Sequence, residues 1–324
     1  MPIRKAVITA AGRGVRLYPV ADTVQKAMLP LIDRDGVAKP VIQIIAEEAI
    51  DSGIEEVCVV CAPDDEDRYR RQLTMLRDNL LTDLQGAEWA KQQADRIDDL
   101  LRRLSFTVQE EPLGYGHAVH CAKEFAGKEP FLLMLSDHVY ISHVPGQRCA
   151  QQLIDLAEAE QCSVAAVQST REHHVIDYGT LSGKRSGDVK GVYEIEKILE
   201  KPSLTQAELE LQTPGLRVGH YLCLFGMHVL THNIFDFLEH EMAQAGAAEA
   251  GYQLTPALQL LADREKYLAA PLRGRRYDIG AKFGLLQTQI ALGMAGSERD
   301  AMLRSIVELM AGAEQGQETP GAGR

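Results

Sequence analysis

The residues best suited to chemistry lie near the start of the chain. Lys5-Ala-Val-Ile-Thr-Ala-Ala-Gly-Arg-Gly-Val-Arg-Leu-Tyr-Pro19 is followed by Gln25-Lys-Ala-Met-Leu-Pro30. Val7, Ile8 and Thr9 are β-branched and suit a central strand. Gly12 and Gly14 carry no Cβ, so the backbone can turn sharply there and approach a ligand closely. Arg13, Arg16 and Lys26 place cations beside the amides of that turn, and N–H groups with cations make a phosphate site. The spacing is not that of a dinucleotide fingerprint, because Leu17 stands where the third glycine belongs and the next strand ends in Val60-Cys61. A P-loop is excluded too, since no Gly-Lys-Ser/Thr follows. A second candidate is Asp137, which follows the apolar run Phe131-Leu-Leu-Met-Leu135 at a strand end. Parallel sheets bind ligands at that end, although a lone aspartate there more often caps a helix or turn.

These groups need a sheet to hold them. Strands are predicted at 5–10, 56–61, 106–109, 131–135 and 163–168, with a helix over 41–52 closed by Gly53 and another over 117–126. Strand–helix–strand order predicts parallel pairing with right-handed crossovers. Residues 64–104 read as two or three inserted amphipathic helices, with Leu73, Leu76, Leu80 and Leu84 on one face and Ile97, Leu100, Leu101 and Leu104 on another. A cover on the sheet is the expected role, ahead of a lid or an oligomer contact. A more antiparallel region follows, with strands at 189–199 and 218–229 and helices at 231–243, 253–264 and 286–311. The expectation is one α/β unit over 1–295, a C-terminal helix over 296–312 and a disordered tail over 313–324.

Composition limits the partners. The 324 residues carry a formal net charge of -12, which argues against nucleic acid or an anionic membrane as the main partner. No apolar run reaches the roughly 18 residues of a membrane span. Cys58 and Cys61 have CxxC spacing but sit in Val57-Cys-Val-Val-Cys61, which predicts buried strand thiols rather than a zinc or redox pair. The expected compartment is a reducing cytoplasm.

Ala10-Ala-Gly-Arg-Gly-Val-Arg-Leu-Tyr-Pro19 with Lys26-Ala-Met-Leu-Pro30 resembles the signature of the sugar-1-phosphate nucleotidyltransferases. Gln109-Glu-Glu-Pro-Leu-Gly-Tyr-Gly-His-Ala-Val119, Leu135-Ser-Asp-His138, Tyr178-Gly179, Glu200-Lys-Pro202, Gln253-Leu-Thr255 and Tyr277-Asp-Ile-Gly280 follow in the order of that family. The set is most similar to the bacterial UTP–glucose-1-phosphate uridylyltransferases and runs from about residue 5 to 295. The resemblance implies a Rossmann-like, mixed but mostly parallel sheet flanked by helices, of nucleotide-diphospho-sugar transferase type. It implies a sugar 1-phosphate attacking the α-phosphorus of a nucleoside triphosphate, with pyrophosphate leaving and no covalent intermediate. Because both reactants are anions, neutralisation and alignment are expected to supply most of the catalysis.

The roles that the resemblance implies are these. Ala10, Ala11, Gly12, Gly14 and Gly114 lie against the nucleotide, and Gln109 reads the base with the donor and acceptor of its amide. Arg16 and Lys26 hold the triphosphate, while Lys201 binds the sugar phosphate. Gly179 and Glu200 contact the sugar, and Asp137 with Asp278 hold Mg²⁺. Arg13 divides evenly between phosphate ligand and solvated arginine. A homodimer or tetramer is expected. The pattern departs from the family at Val15, where a threonine is usual, at Ala27, where a glutamate or glutamine is common, and in Glu110-Glu-Pro-Leu113. It also departs in a longer 33–40 loop, read as lying near the phosphates. These departures leave open another base or sugar, and a non-catalytic sugar-nucleotide sensor.

Overall fold

The computed structural model describes residues 1–12, 14–19, 23–187, 189–244 and 251–315. Arg13 and the tail beyond Gln315 lie outside the described residues. The strands, in chain order, are β1 (Lys5–Thr9), β2 (Pro30–Ile32), β3 (Ala38–Pro40), β4 (Glu56–Cys61), β5 (Leu104–Val108), β6 (Phe131–Leu135) and β7 (His138–Ser142). They continue with β8 (Ser163–Arg171), β9 (Thr180–Arg185), β10 (Tyr193–Leu199), β11 (His220–Leu230), β12 (Tyr267–Pro271) and β13 (Gly274–Asp278). The helices are α1 (Val41–Ile50), α2 (Asp65–Asp83), α3 (Glu88–Arg103), α4 (Tyr115–His120), α5 (Lys123–Ala126) and α6 (Cys149–Glu160). They continue with α7 (Leu204–Glu210), α8 (Ile234–Gln244), α9 (Leu254–Arg264), α10 (Gly284–Ala295) and α11 (Arg299–Gln315).

Nine strands form one sheet in the order β5-β4-β1-β6-β11-β8-β12-β10-β9. Parallel pairing joins β5, β4, β1 and β6 on one side and β8 with β12 on the other, while β11 runs antiparallel to β6, β8 and β9. The fold is therefore the expected mixed α/β sheet, with β10 in the expected antiparallel region. The β1 and β6 side chains are almost wholly buried, as their continuous apolar runs dictate for strands covered on both faces. One apolar layer packs α1 and α6 against the sheet, and the opposite layer packs α4, α8 and α9.

Two thiol expectations can be read directly. Cys58 and Cys61 are buried and free, and burial pushes the Cys61 thiol up to about 12. The inserted segment 64–104 forms α2 and α3, which cover the β5 edge: Tyr69 stacks on Phe106 with ring centroids 6.0 Å apart. Leu73, Ile97 and Leu100 are buried, but Leu84 lies beyond α2 and is exposed, and Leu104 belongs to β5. The predicted helix 117–126 divides into α4 and α5.

The 33–40 loop departs from its expected place. It is the β2–β3 hairpin, held by buried Lys39, whose Nζ lies 2.8 Å from Asp33, 2.8 Å from Asp35 and 3.0 Å from Glu47. Arg34 accepts a backbone hydrogen bond from Ser297, and Gln93 of α3 donates to Asp35. The loop thus braces α1, α3 and the α10–α11 turn, and contributes no side chain to the cavities described below.

Glu48 is a buried carboxylate of α1 that accepts from the Ala150 N–H of α6. Burial pushes its pKa up to about 7 from an ordinary 4.5. The folded state therefore binds this proton more tightly than the unfolded chain. The associated stability is complete below pH 4.5 and is lost as pH rises through about 7, a change of roughly 3 kcal/mol at most, since Arg148 Nη1, 3.5 Å from Glu48 Oε2, favours the ionised form. Glu48→Gln should flatten that decline; chemical denaturation at pH 5 and pH 8 checks it, and an unchanged pH slope would contradict it.

Candidate active site

The site opens at the carboxyl ends of β1 and β6. Beyond β1 the chain leaves the sheet through Ala10, Ala11 and Gly12, and beyond β6 it turns through Ser136 and Asp137 into β7. The ribbon β7–β13 then closes over this edge. Its antiparallel register pairs Asp278 with His138, so Asp278 and Asp137 become diagonal neighbours although they are far apart in sequence. A backbone bond from Ile279 to the Asp137 carbonyl, 2.9 Å, fixes the join. Gly280 lies close against this cluster, since a Cβ on it would stand 3.0 Å from the Arg16 guanidinium, 3.2 Å from the Asp278 carboxylate and 3.3 Å from that of Asp137.

The carboxylates gather the cations. Lys26 Nζ lies 2.7 Å from Asp137 Oδ2, and Arg16 reaches the same oxygen at 3.3 Å and Asp278 Oδ2 at 2.7 Å. Burial pushes the Asp137 carboxyl up, but His138, Lys26 and Arg16 outweigh it and hold it at about 2. His138 is itself buried, and burial pushes its imidazole down to about 4 against the pull of Asp137 and Asp278. At neutral pH the imidazole is therefore uncharged, and Lys26 and Arg16 are the cations that keep Asp137 ionised.

Asp137, His138 and Asp278 present ligand atoms within 4.8 Å of one another. Two carboxylates and a neutral imidazole suit a divalent cation. His138 Nε2 stands 3.9 Å from Asp137 and 4.0 Å from Asp278, while its Nδ1 is buried without a hydrogen-bond partner among the described residues. Room for this ring comes from Gly226, at φ +79 in the irregular part of β11, where a Cβ would sit 2.2 Å from Nδ1. His138 was not singled out as a ligand from the sequence; its one signal was adjacency to Asp137.

Two cavities meet at this cluster. The smaller, about 260 Å³, is lined by Thr9, Ala11, Gly12, Lys26, Gln109, Pro112, Gly114, Tyr115, Ser136 and Asp137. A Cβ on Gly12 would meet nothing within 4 Å, so the space in front of this backbone is open. Gly114 is required by the fold: its φ is +105 and a Cβ would lie 2.5 Å from the Tyr252 carbonyl. Ala10 and Gly14 are not among the lining residues. The Ala10 N–H is spent on the Val60 carbonyl at 2.7 Å, and the Gly14 carbonyl accepts from Leu17. The Gln109 amide nitrogen donates to the Gly114 carbonyl and contacts His117, which leaves only the amide oxygen for a ligand. The donor and acceptor expected of that amide thus reduce to the acceptor alone.

The larger cavity, about 560 Å³, is lined by Arg16, Tyr115, Asp137, His138, Tyr178, Gly179, Glu200, Lys201, Thr255, Arg276 and Asp278, among others. Thr255 Oγ1 donates to Glu200 at 2.8 Å, which ties the Gln-Leu-Thr segment to Glu-Lys-Pro. Lys201 is exposed at the end of β10 and holds φ +43, a costly left-handed conformation for a lysine. Arg16 lines this larger cavity, not the smaller one. Two contributors went unread in the sequence. Tyr115 forms a wall common to both cavities. Arg276 lies 4.1 Å from the Tyr178 ring centroid and donates to the Leu224 carbonyl at 2.8 Å. Its place directly before Tyr277-Asp278 was the only clue.

A backbone-lined cleft, a second polar cleft and a carboxylate–cation cluster between them suit the joining of two phosphorylated molecules. Known proteins agree. The nucleotidyl transferase family pattern matches residues 5–292. A UTP–glucose-1-phosphate uridylyltransferase of Bacillus subtilis is 35% identical over 309 residues, covering 94% of this chain and 95% of that protein. One from Streptococcus pneumoniae is 35% identical over 295 residues, covering 89% of each. A UDP-glucose pyrophosphorylase crystallised with UDP-glucose superposes with a TM-score of 0.70 at 29% identity, over 89% of this chain and 98% of that one. The same enzyme type from Acinetobacter baumannii gives 0.73 at 25% identity, over 95% and 99%. With the family pattern spanning residues 5–292 and relatives 35% identical over about nine-tenths of the chain, the chain is a member of the nucleotidyl transferase family.

Proposed function

We propose that this enzyme joins UTP to glucose 1-phosphate, releasing pyrophosphate and UDP-glucose. The observation that carries the reading is the Asp137–Asp278 pair, with Lys26 and Arg16 on it, at the junction of the two cavities. The smaller cavity takes the nucleotide, against the backbone of Ala11, Gly12 and Gly114 with Gln109 facing the base. The larger takes the sugar phosphate, with Glu200 and Gly179 at the hydroxyls and Lys201 at the phosphate. Lys26 neutralises the triphosphate, and Arg16 can turn from the carboxylates to the phosphates. Asp137 and Asp278, with His138 beside them, would hold Mg²⁺, which when bound neutralises and aligns phosphate oxygens. The residues themselves position two anions and stabilise the departing pyrophosphate, so no side chain needs to act as nucleophile.

A homodimer or tetramer belongs to the same reading. Val307, Leu309 and Met310 are exposed on α11 and support it. So do six free cysteines for a reducing cytoplasm, and no helix among the described residues is long and apolar enough to cross a membrane.

The test is pyrophosphate release from UTP, dTTP, ATP and GTP, each paired with a panel of sugar 1-phosphates. UTP with glucose 1-phosphate should be the best pair. A higher kcat/KM for another pair would move the specificity, and binding of UDP-glucose without turnover of any pair would make the protein a sensor. The sugar side has its own check. A Cβ on Gly179 would stand 2.8 Å from Leu224 Cδ1 and 3.2 Å from Glu200 Oε2. Gly179→Ala should therefore raise the KM for the sugar phosphate about tenfold and cost about 1 kcal/mol of stability by overpacking. An unchanged KM would remove Gly179 from the sugar site.

A further inference from the structure

The Gln109 amide is buried beside the smaller cavity, and its nitrogen is doubly engaged. Nε2 donates to the Gly114 carbonyl at 3.1 Å and stands 3.0 Å from His117 Nδ1. A carbonyl can only accept, so the Gly114 contact decides which end of the amide is the nitrogen. His117 Nδ1 must then be the acceptor, which places the imidazole proton on Nε2. The surroundings favour that neutral ring: burial and His120 lower its pKa, with Glu111 opposing. Both amide N–H groups are thus used within the protein, and Oε1 is the end left for a ligand.

We propose that His117 is a positioning residue for base selection. It holds the Gln109 amide with Oε1 toward the base, so the cavity favours a ring N–H and disfavours a ring lone pair. The proposal rests on the reading of Gln109 as the group that faces the base. Uracil presents N3–H, whereas cytosine presents an unprotonated N3 in a ring of the same size. To meet cytosine N3 with a donor, the amide must turn over. It then loses its bond to Gly114 and sets Oε1 against that carbonyl oxygen, and His117 must shift its proton from Nε2 to Nδ1 to keep a hydrogen bond. Gly114 supplies half of this clamp through its backbone, which substitution cannot easily remove. His117 supplies the half that can be changed.

The experiment measures kcat/KM for UTP and for CTP, with thermal unfolding of each protein, in wild type, His117→Phe, His117→Asn and Gln109→Ala. His117→Phe keeps an aromatic ring and removes the acceptor; the UTP:CTP ratio should fall about threefold to tenfold, up to the worth of one neutral hydrogen bond, since reversal costs His117 a shift of its proton to Nδ1. His117→Asn places a carbonyl oxygen near the former Nδ1 and should restore most of the ratio. A merely structural role for His117 would lower both rates together and leave the ratio unmoved. A wild-type ratio in folded His117→Phe, or an equal fall in Asn and Phe, would overturn the proposal. Gln109→Ala separates the two readings. An unchanged ratio in Gln109→Ala means that Gln109 does not face the base, and the underlying reading falls. A collapsed ratio there, with none in His117→Phe, overturns the role of His117 alone.

Discussion

Replacement of Asp137 by Asn, or of Asp278 by Asn, should each lower the rate of pyrophosphate release by about 10³-fold or more, the range for losing a charge-stabilising group in an enclosed site. The fold should survive. Asp137 lies after β6 and before β7, and its backbone carbonyl, not its side chain, makes the bond to Ile279. Some stability should still be lost from the Asp137 variant. The folded pKa of about 2 lies below the ordinary 3.8, so the ionised group stabilises the fold above pH 3.8 and that contribution is lost as pH falls through 2. Its size is about 2 kcal/mol at most. Arg16 can rewet once unpaired, which reduces the cost further. Circular dichroism, calorimetric titration with Mg²⁺ and the pyrophosphate assay check the three parts. Near-normal turnover in either variant would remove that carboxylate from the site, however well the protein folds.

Arg16→Ala carries the second large effect, and its two readouts should move in opposite directions. The guanidinium spans both carboxylates, at 3.3 Å from Asp137 and 2.7 Å from Asp278. It therefore competes with a cation for the same oxygens. Removing it should tighten Mn²⁺ or Mg²⁺ binding in the absence of nucleotide, by about tenfold for one or two charge-assisted hydrogen bonds removed. Turnover should nevertheless fall about 10²-fold or more, because the same guanidinium is the group available to meet the developing charge on pyrophosphate. Arg16 is more than half exposed, so its excursion between the two partners needs no rearrangement of the core. Calorimetry with the metal alone and steady-state kinetics with both substrates separate the effects. Weaker metal binding in Arg16→Ala would show that the arginine supports the carboxylates instead of competing for them.

The legible parts of the fold were those with strong local signals. Strands β4 and β6 fall on the runs read for them because both are continuous apolar segments buried on two faces. The ribbon β7–β13 had no such signal. Arg275 and Arg276 in β13 break any apolar pattern, and its pairing with β7 is a contact across more than 130 residues that only tertiary packing defines. That ribbon is what brings Asp278 to Asp137, so their meeting came from family resemblance and not from periodicity. The loop at 33–40 was misplaced for a related reason. Its extra length against the family pattern placed it near the phosphates, whereas Lys39 satisfies three carboxylates internally and the loop packs on α1, α3 and the α10–α11 turn. Gln109 was legible from the family resemblance as a binding amide, but the direction of its hydrogen bonds depends on the Gly114 carbonyl and on His117, the third residue of α4. Residue type fixes what a side chain can donate or accept; which of those groups remains for a ligand is decided by its neighbours.

The central claim is that one junction, built on Asp137 and Asp278, joins a nucleotide in the smaller cavity to a sugar phosphate in the larger. Phosphorus NMR of the protein with UTP, glucose 1-phosphate and Mg²⁺ tests it most directly. The account predicts that the UTP and glucose 1-phosphate signals decay together while UDP-glucose and pyrophosphate grow in equal amounts, and that Asp278→Asn abolishes the change. Persistence of both substrates, or release of inorganic phosphate without UDP-glucose, would contradict it.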